Sequence, residues 1–225
     1  MYAFVTGPLL WLSFLICIIG VLYRVVQYIR GLNWQIDRVA YTAYPGQGAK
    51  AAAKSILHWI IPFGSRNWRI KPLYTIIFFA FHAGLILVPL FLEGHVAIVE
   101  QRWGISWPTL PSGVADALTI TVFVTAACLI VRRIALPEVR ILTTAYDYFL
   151  LALTLAPFVT GFFAVQEIGN PQFWLILHIL AGEALLIAIP FTKLFHIVGF
   201  FLSRAQIGMD FGIKRGGMKG RGLAW

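Results

Sequence analysis

Residues 78–95 read FFAFHAGLILVPLFLEGH, an apolar run interrupted by His82, Pro89, Glu93 and His95. A bilayer crossing takes about 20 mainly apolar residues in a helix, and this stretch supplies most of one. An imidazole inside such a run is costly to keep in hydrocarbon, so it points to function by default. The combination recurs near the end of the chain, where His178 and His196 lie in the apolar stretch from Phe173 to Leu202. Two histidines in each of two apolar segments organise the reading of everything else.

Working outward, the composition agrees. The chain has 225 residues, 60% hydrophobic and 12% charged, which excludes a soluble domain with a hidden core. Five runs are long enough to span, at about 8–27, 72–99, 114–131, 143–165 and 173–202. The expectation is an all-α membrane protein of five transmembrane helices forming one domain over 1–225. The opening run lacks the basic region and small-residue cleavage site of a signal peptide, so it is expected to stay as the first helix.

The net charge of +9 could suggest nucleic acid, but its distribution excludes that partner. Arg24, Arg30, Arg38, Lys50, Lys54, Arg66, Arg69 and Lys71 follow the first span, whereas the next loop has only Arg102. Positive charge returns at Arg132, Arg133 and Arg140, vanishes between Gln166 and Gln172, and returns from Arg204 onward. This alternation follows the positive-inside rule, with the N-terminus outside and the C-terminus in the cytoplasm. Trp103, Trp107 and Trp174 then form the outer aromatic belt.

Outside the spans, GAKAAAKSILHWIIPF (48–63) reads as an amphipathic helix on the inner membrane surface, closed by Pro62 and Gly64. Its His58 reads as an interfacial polar side chain. The glycine-rich, basic tail, 203–225, reads as a segment lying against a partner or anionic lipid rather than folding alone. Cys17 and Cys128 stand singly, with no C-x-x-C-H, which excludes a c-type haem or an iron–sulfur cluster built by this chain alone.

The histidine spacing carries the chemistry. His178 and His196 are 18 residues apart, five whole turns and about 27 Å on one helix face. His82 and His95 are 13 residues, about 20 Å, apart. Antiparallel spans would pair His82 with His196 at the inner level and His95 with His178 at the outer. These are four axial ligands for two haem b groups, the metal being haem iron in both. Thirteen residues is about 220° of rotation, so this needs a deformed helix between His82 and His95, where Pro89 stands, and Pro190 could kink the other. One haem-binding pair, or histidines that only bond between helices, are the alternatives.

Acid–base groups near a haem would serve a quinol that loses protons. Glu93, Glu100, Arg102, Asp116 and Glu167 are candidates on the outer side, and Lys193, Asp147, Arg132 and Arg133 on the inner. Most read as interfacial charges or haem-propionate partners. Glu183, deep in the last span, must be neutral, paired or beside water, and reads either as a proton or quinone group or as a protonated acid bonded to a neighbour. Gly84, Gly94 and Gly182 near the histidines would admit a porphyrin face or close helix packing.

The segment IPFTKLFHI, with His178 18 residues before His196, resembles the last ligand helix of the gamma subunit of respiratory nitrate reductase. FFAFHAGLILVPLFLEGH and WIIPFGSRNWRIKP are similar to the second helix and basic inner loop of related cytochromes b of sulfate-reducing bacteria. The resemblance covers essentially the whole chain. The histidines of the second helix are wider apart here than in the nitrate reductase subunit. That spacing fits best the membrane cytochrome b of the high-molecular-weight cytochrome c redox complex or of the sulfite-reduction-associated complex. The resemblance implies a multi-pass protein of the bacterial inner (cytoplasmic) membrane and an electron-transfer subunit of a respiratory oxidoreductase complex, exchanging electrons with either the quinone pool, menaquinone being the candidate cofactor, or a periplasmic cytochrome c. It further implies other membrane subunits, a periplasmic multihaem cytochrome c and a cytoplasmic iron–sulfur partner like heterodisulfide reductase.

Two readings compete with it. A haem-free anchor would use the same helices to hold soluble redox subunits. A transporter would need polar groups continuing across the bilayer, and the spans offer few beyond Glu183 and the histidines. No nucleotide loop, metal-hydrolase signature or activated nucleophile is present.

Overall fold

The computed structural model describes residues 2–32 and 44–214, and among them there is helix and no strand. Five helices are long and apolar enough to cross a membrane: Tyr2–Gly31, Pro72–Trp103, Ser112–Ala135, Ala145–Val165 and Pro171–Phe191. All-helical over the described residues, the chain is a multi-pass membrane protein. Two compact units divide it, one comprising Met1–Pro72 and Glu183–Trp225, the other Leu73–Gly182.

In the first unit, α1 (Tyr2–Gly31) contains a π-helical turn at Val5–Leu9 around Pro8. Helix α2 (Pro45–Ile60) follows with Pro45 in its first turn, where a missing N–H costs nothing, and ends as Ile61 turns extended before Pro62. The short α3 (Arg66–Ile70) is capped by Ser65, whose Oγ accepts from the Trp68 amide at 3.3 Å. The second unit holds α4 (Pro72–Phe91, from Leu73 onward), α5 (Glu93–Trp103), α6 (Ser112–Ala135), α7 (Pro137–Arg140) and α8 (Ala145–Val165). Helix α9 (Pro171–Phe191) belongs to this unit up to Gly182. After a 3₁₀ turn at Lys193–Phe195, α10 (His196–Lys214) completes the first unit.

Packing in the second unit centres on Phe81 and Val88 of α4, Val122 and Ala126 of α6, and Phe158 of α8. Lipid is as apolar as these side chains, so close fit rather than water exclusion holds such helices together. Gly84 shows this: a Cβ there would lie 2.4 Å from Val122 Cγ2 and 3.1 Å from the Leu118 carbonyl oxygen. In the first unit α2 and α10 pack antiparallel through small residues. Gly48, Ala51 and Ser55 are the buried stripe of α2, and a Cβ on Gly208 would lie 2.6 Å from the Ala51 carbonyl oxygen. Arg204 stacks 4.6 Å over the Trp59 ring and donates to Ser55 Oγ at 3.3 Å, and this burial pulls its guanidinium below the ordinary arginine range.

Two expectations change. The stretch 173–202 is not one helix: α9 stops at Phe191, where Thr192 is extended and caps the Leu194 amide, and His196 opens a new helix. The argument that five unbroken turns align His178 with His196 therefore fails. Residues 203–214 of the tail are helical and pack on α2, because Gly208 lets two backbones approach; 215–225 lie outside the described residues.

The break between His82 and His95 is present, but it falls at Leu92 (φ −69°, ψ 133°), three residues beyond Pro89. Proline removes hydrogen bonds from the turn before it, so this break downstream is not the kink anticipated at Pro89.

Candidate histidine site

A helix that stops inside a membrane leaves its last carbonyls without partners, and each must be satisfied. The end of α4 accounts for all four. Val88 O accepts from the Leu92 amide at 3.0 Å, and Pro89 O from His95 Nδ1–H at 2.9 Å. Leu90 O accepts from Trp107 Nε1–H at 2.7 Å, and Phe91 O from the Leu110 amide at 2.8 Å. His95 thus replaces the amide that the break removed, and Trp107, read from sequence as a belt residue, also anchors its loop to the broken end.

His178 is held by a different helix. Its Nδ1–H donates to Pro157 O on α8 at 2.7 Å. The approach depends on Gly161, one turn after Pro157, where a Cβ would stand 2.7 Å from His178 Nδ1 and 2.9 Å from its Cε1. No sequence signal singled out Pro157 or Gly161, because their role exists only once α8 and α9 pack.

The two imidazoles meet. His95 and His178 have ring centroids 5.8 Å apart and planes within 5° of parallel. A proton on each Nδ1, given to a carbonyl, leaves Nε2 as the ring's lone-pair nitrogen, the form of histidine that binds metal. Neither Nε2 makes a hydrogen bond among the described residues.

The remaining site residues are placed less distinctively. His82 Nδ1 bonds Phe78 O at 2.8 Å within α4, and His196 Nδ1 bonds Lys193 O at 3.0 Å within its own turn. They fall in different units, so their pairing rests on the sequence alone. Lys193 is exposed in the 3₁₀ turn before His196, and Glu93 is exposed in the first turn of α5, where its charge suits the helix dipole. Glu183 is 3% exposed, and neither carboxylate oxygen has a hydrogen-bond partner among the described residues.

Other charges have structural occupations. Asp147 closes a capping box with Thr144, Asp116 accepts from Gln166 at 3.3 Å, and Arg132 stacks 4.2 Å over Tyr74. Gly84 is spent on helix packing, whereas a Cβ on Gly94 or Gly182 would meet nothing within 4 Å. No group of three or more His, Cys, Asp or Glu side chains forms a metal cluster among the described residues.

Fold and site define a class: a multi-pass helical membrane protein with a pair of intramembrane histidines oriented by backbone carbonyls. The chain is 54% identical over 226 residues to a protein of Nitratidesulfovibrio vulgaris strain Hildenborough described only as "Protein", the match covering 100% of both chains. It belongs to the same family as that protein. No family model matches the chain, and no solved structure does.

Proposed function

We propose that this protein is a membrane cytochrome b, with one haem held between His95 and His178. The observation that carries this reading is the shared orientation of those two rings, both pinned through Nδ1 to carbonyls outside their own helical turn. The dimensions fit the group. His95 and His178, with ring centroids 5.8 Å apart and planes within 5° of parallel, would hold the group between them through their Nε2 atoms. Open space beside Gly94 and Gly182 suits a flat macrocycle.

Bound there, a haem supplies one-electron transfer, while the chain's own residues fix ligand orientation and basicity. Pro89 O and Pro157 O hold each ring in one tautomer, and the surrounding helices keep the centre in a medium of low polarity. A second haem on His82 and His196 belongs to the same proposal, through the resemblance of their two segments to ligand helices of related cytochromes b. So does electron transfer between the quinone pool or a periplasmic cytochrome c and a cytoplasmic iron–sulfur partner, through the family resemblance. The positive-inside pattern gives the orientation, with the N-terminus outside.

A pyridine haemochrome assay on the purified chain tests it. Two haem b groups per polypeptide are expected, and His95→Ala and His178→Ala should each remove one and the same haem in the redox difference spectrum. Loss of different haems would overturn the pairing; no haem at all would leave a membrane anchor.

A further inference from the structure

We propose that α2, the turn after it and α3 form a binding surface for anionic phospholipid headgroups. The charge pattern is one-sided. Between Tyr44 and Leu92 there is no acidic residue, while Lys50, Lys54, Arg66, Arg69 and Lys71 supply five cations. Packing decides which way α2 faces, because Gly48, Ala51 and Ser55 are buried against α10. Lys50, Lys54 and Leu57, spaced i, i+4 and i+7, therefore share the opposite, exposed face.

The side chains of Lys50, Lys54 and Arg66 are exposed and make no hydrogen bond or ion pair among the described residues, and that of Arg69 reaches only the Gly64 carbonyl, at 3.4 Å. Arg204 is not available to this surface, being committed to Trp59 and Ser55.

Cations on a purely solvated face would stand among polar neighbours. Here they alternate with exposed apolar side chains: Leu57, Ile60, Ile61, Phe63 and Ile70. Cationic heads beside apolar bodies suit the boundary between lipid headgroups and acyl chains. An acidic protein would satisfy the cations equally. The bilayer is favoured because Lys71 immediately precedes Pro72, the first residue of a membrane-spanning helix, so the chain itself tethers this surface to the membrane. Clusters of four or more cations beside a span attract anionic lipid in this way.

The test uses the full chain in phosphatidylcholine nanodiscs containing trace spin-labelled phosphatidylglycerol or spin-labelled phosphatidylcholine, with motionally restricted lipid read by electron paramagnetic resonance. Wild type should restrict phosphatidylglycerol about fivefold more strongly, a preference that falls with added salt. K50Q/K54Q/R66Q/R69Q should lose most of it, while K50R/K54R keeps it. Should the quadruple variant not fold, K50Q/K54Q alone, on the exposed helix face, should lose about half. Equal restriction of both lipids by wild type would overturn the proposal and leave an acidic protein as the occupant, and an undiminished preference in the variants would overturn it equally.

Discussion

His95 and His178 differ from His82 and His196 in where their Nδ1 protons go. The first two donate to carbonyls beyond their own turn, Pro89 O across a helix break and Pro157 O on a separate helix. The second two donate to Phe78 O and Lys193 O, three or four residues back. His58 of α2 makes the same local bond, to Lys54 O at 2.8 Å. A bond to the preceding turn is open to any helical histidine and says little about purpose. A bond that needs a broken helix, or a glycine cut into a neighbouring one, fixes a ring that local structure would leave free.

The most severe way to break this contrast is to fill the notch beside His178. Gly161→Leu places a branched side chain where the imidazole lies, so His178 must leave Pro157 O. The expected result is a folded protein with one haem fewer in the haemochrome assay, while Gly161→Ala weakens binding about 10–100-fold, as other losses of ligand orientation do. Full haem content in Gly161→Leu would show that the tertiary bond does not matter to the site.

How much of this was legible in the sequence follows from the range of each signal. The five apolar runs were, because hydrocarbon imposes a length and composition on every crossing independently of its neighbours. The helix over 45–60 was so only in part: the spacing of Lys50 and Lys54 marks an exposed face, but nothing local marks Gly48, Ala51 and Ser55 as the stripe that packs on α10. The helix breaks, too, were legible only in part. Pro89 did not mark Leu92, where the helix stops three residues further on, whereas Pro190, named as a possible kink, stands two residues before the break at Thr192. The replacement of a lost amide by the His95 side chain has no local pattern at all, and Gly161 is one glycine among 20 until α9 is packed against it.

A milder test separates glycines that serve the helices from the one that serves the site. Gly84→Ala drives a methyl against Val122 Cγ2 and the Leu118 carbonyl, and overpacking of this kind costs about 1–3 kcal/mol. Thermal unfolding should move accordingly, with haem content unchanged. Gly94→Ala, which meets nothing, should leave packing intact. A loss of haem in Gly84→Ala without loss of stability would move that glycine into the cofactor's surroundings.

The smallest expected effect is the most informative control. His58 shares with His82 and His196 the bond to its own helical turn; like His196 it lies outside the five membrane-spanning helices, whereas His82 lies within one. If such a bond were enough to mark a ligand, His58→Gln would alter the haem spectrum. The expectation is no spectral change and a stability change within about 0.5 kcal/mol, as for other surface substitutions. His82→Gln and His196→Gln, measured beside it, then isolate what the local bond leaves undetermined. Loss of a haem in both, with His58→Gln silent, means that those histidines are ligands although their local bond is no different from that of His58; spectra like that of His58→Gln would leave His95 and His178 as the protein's one haem site.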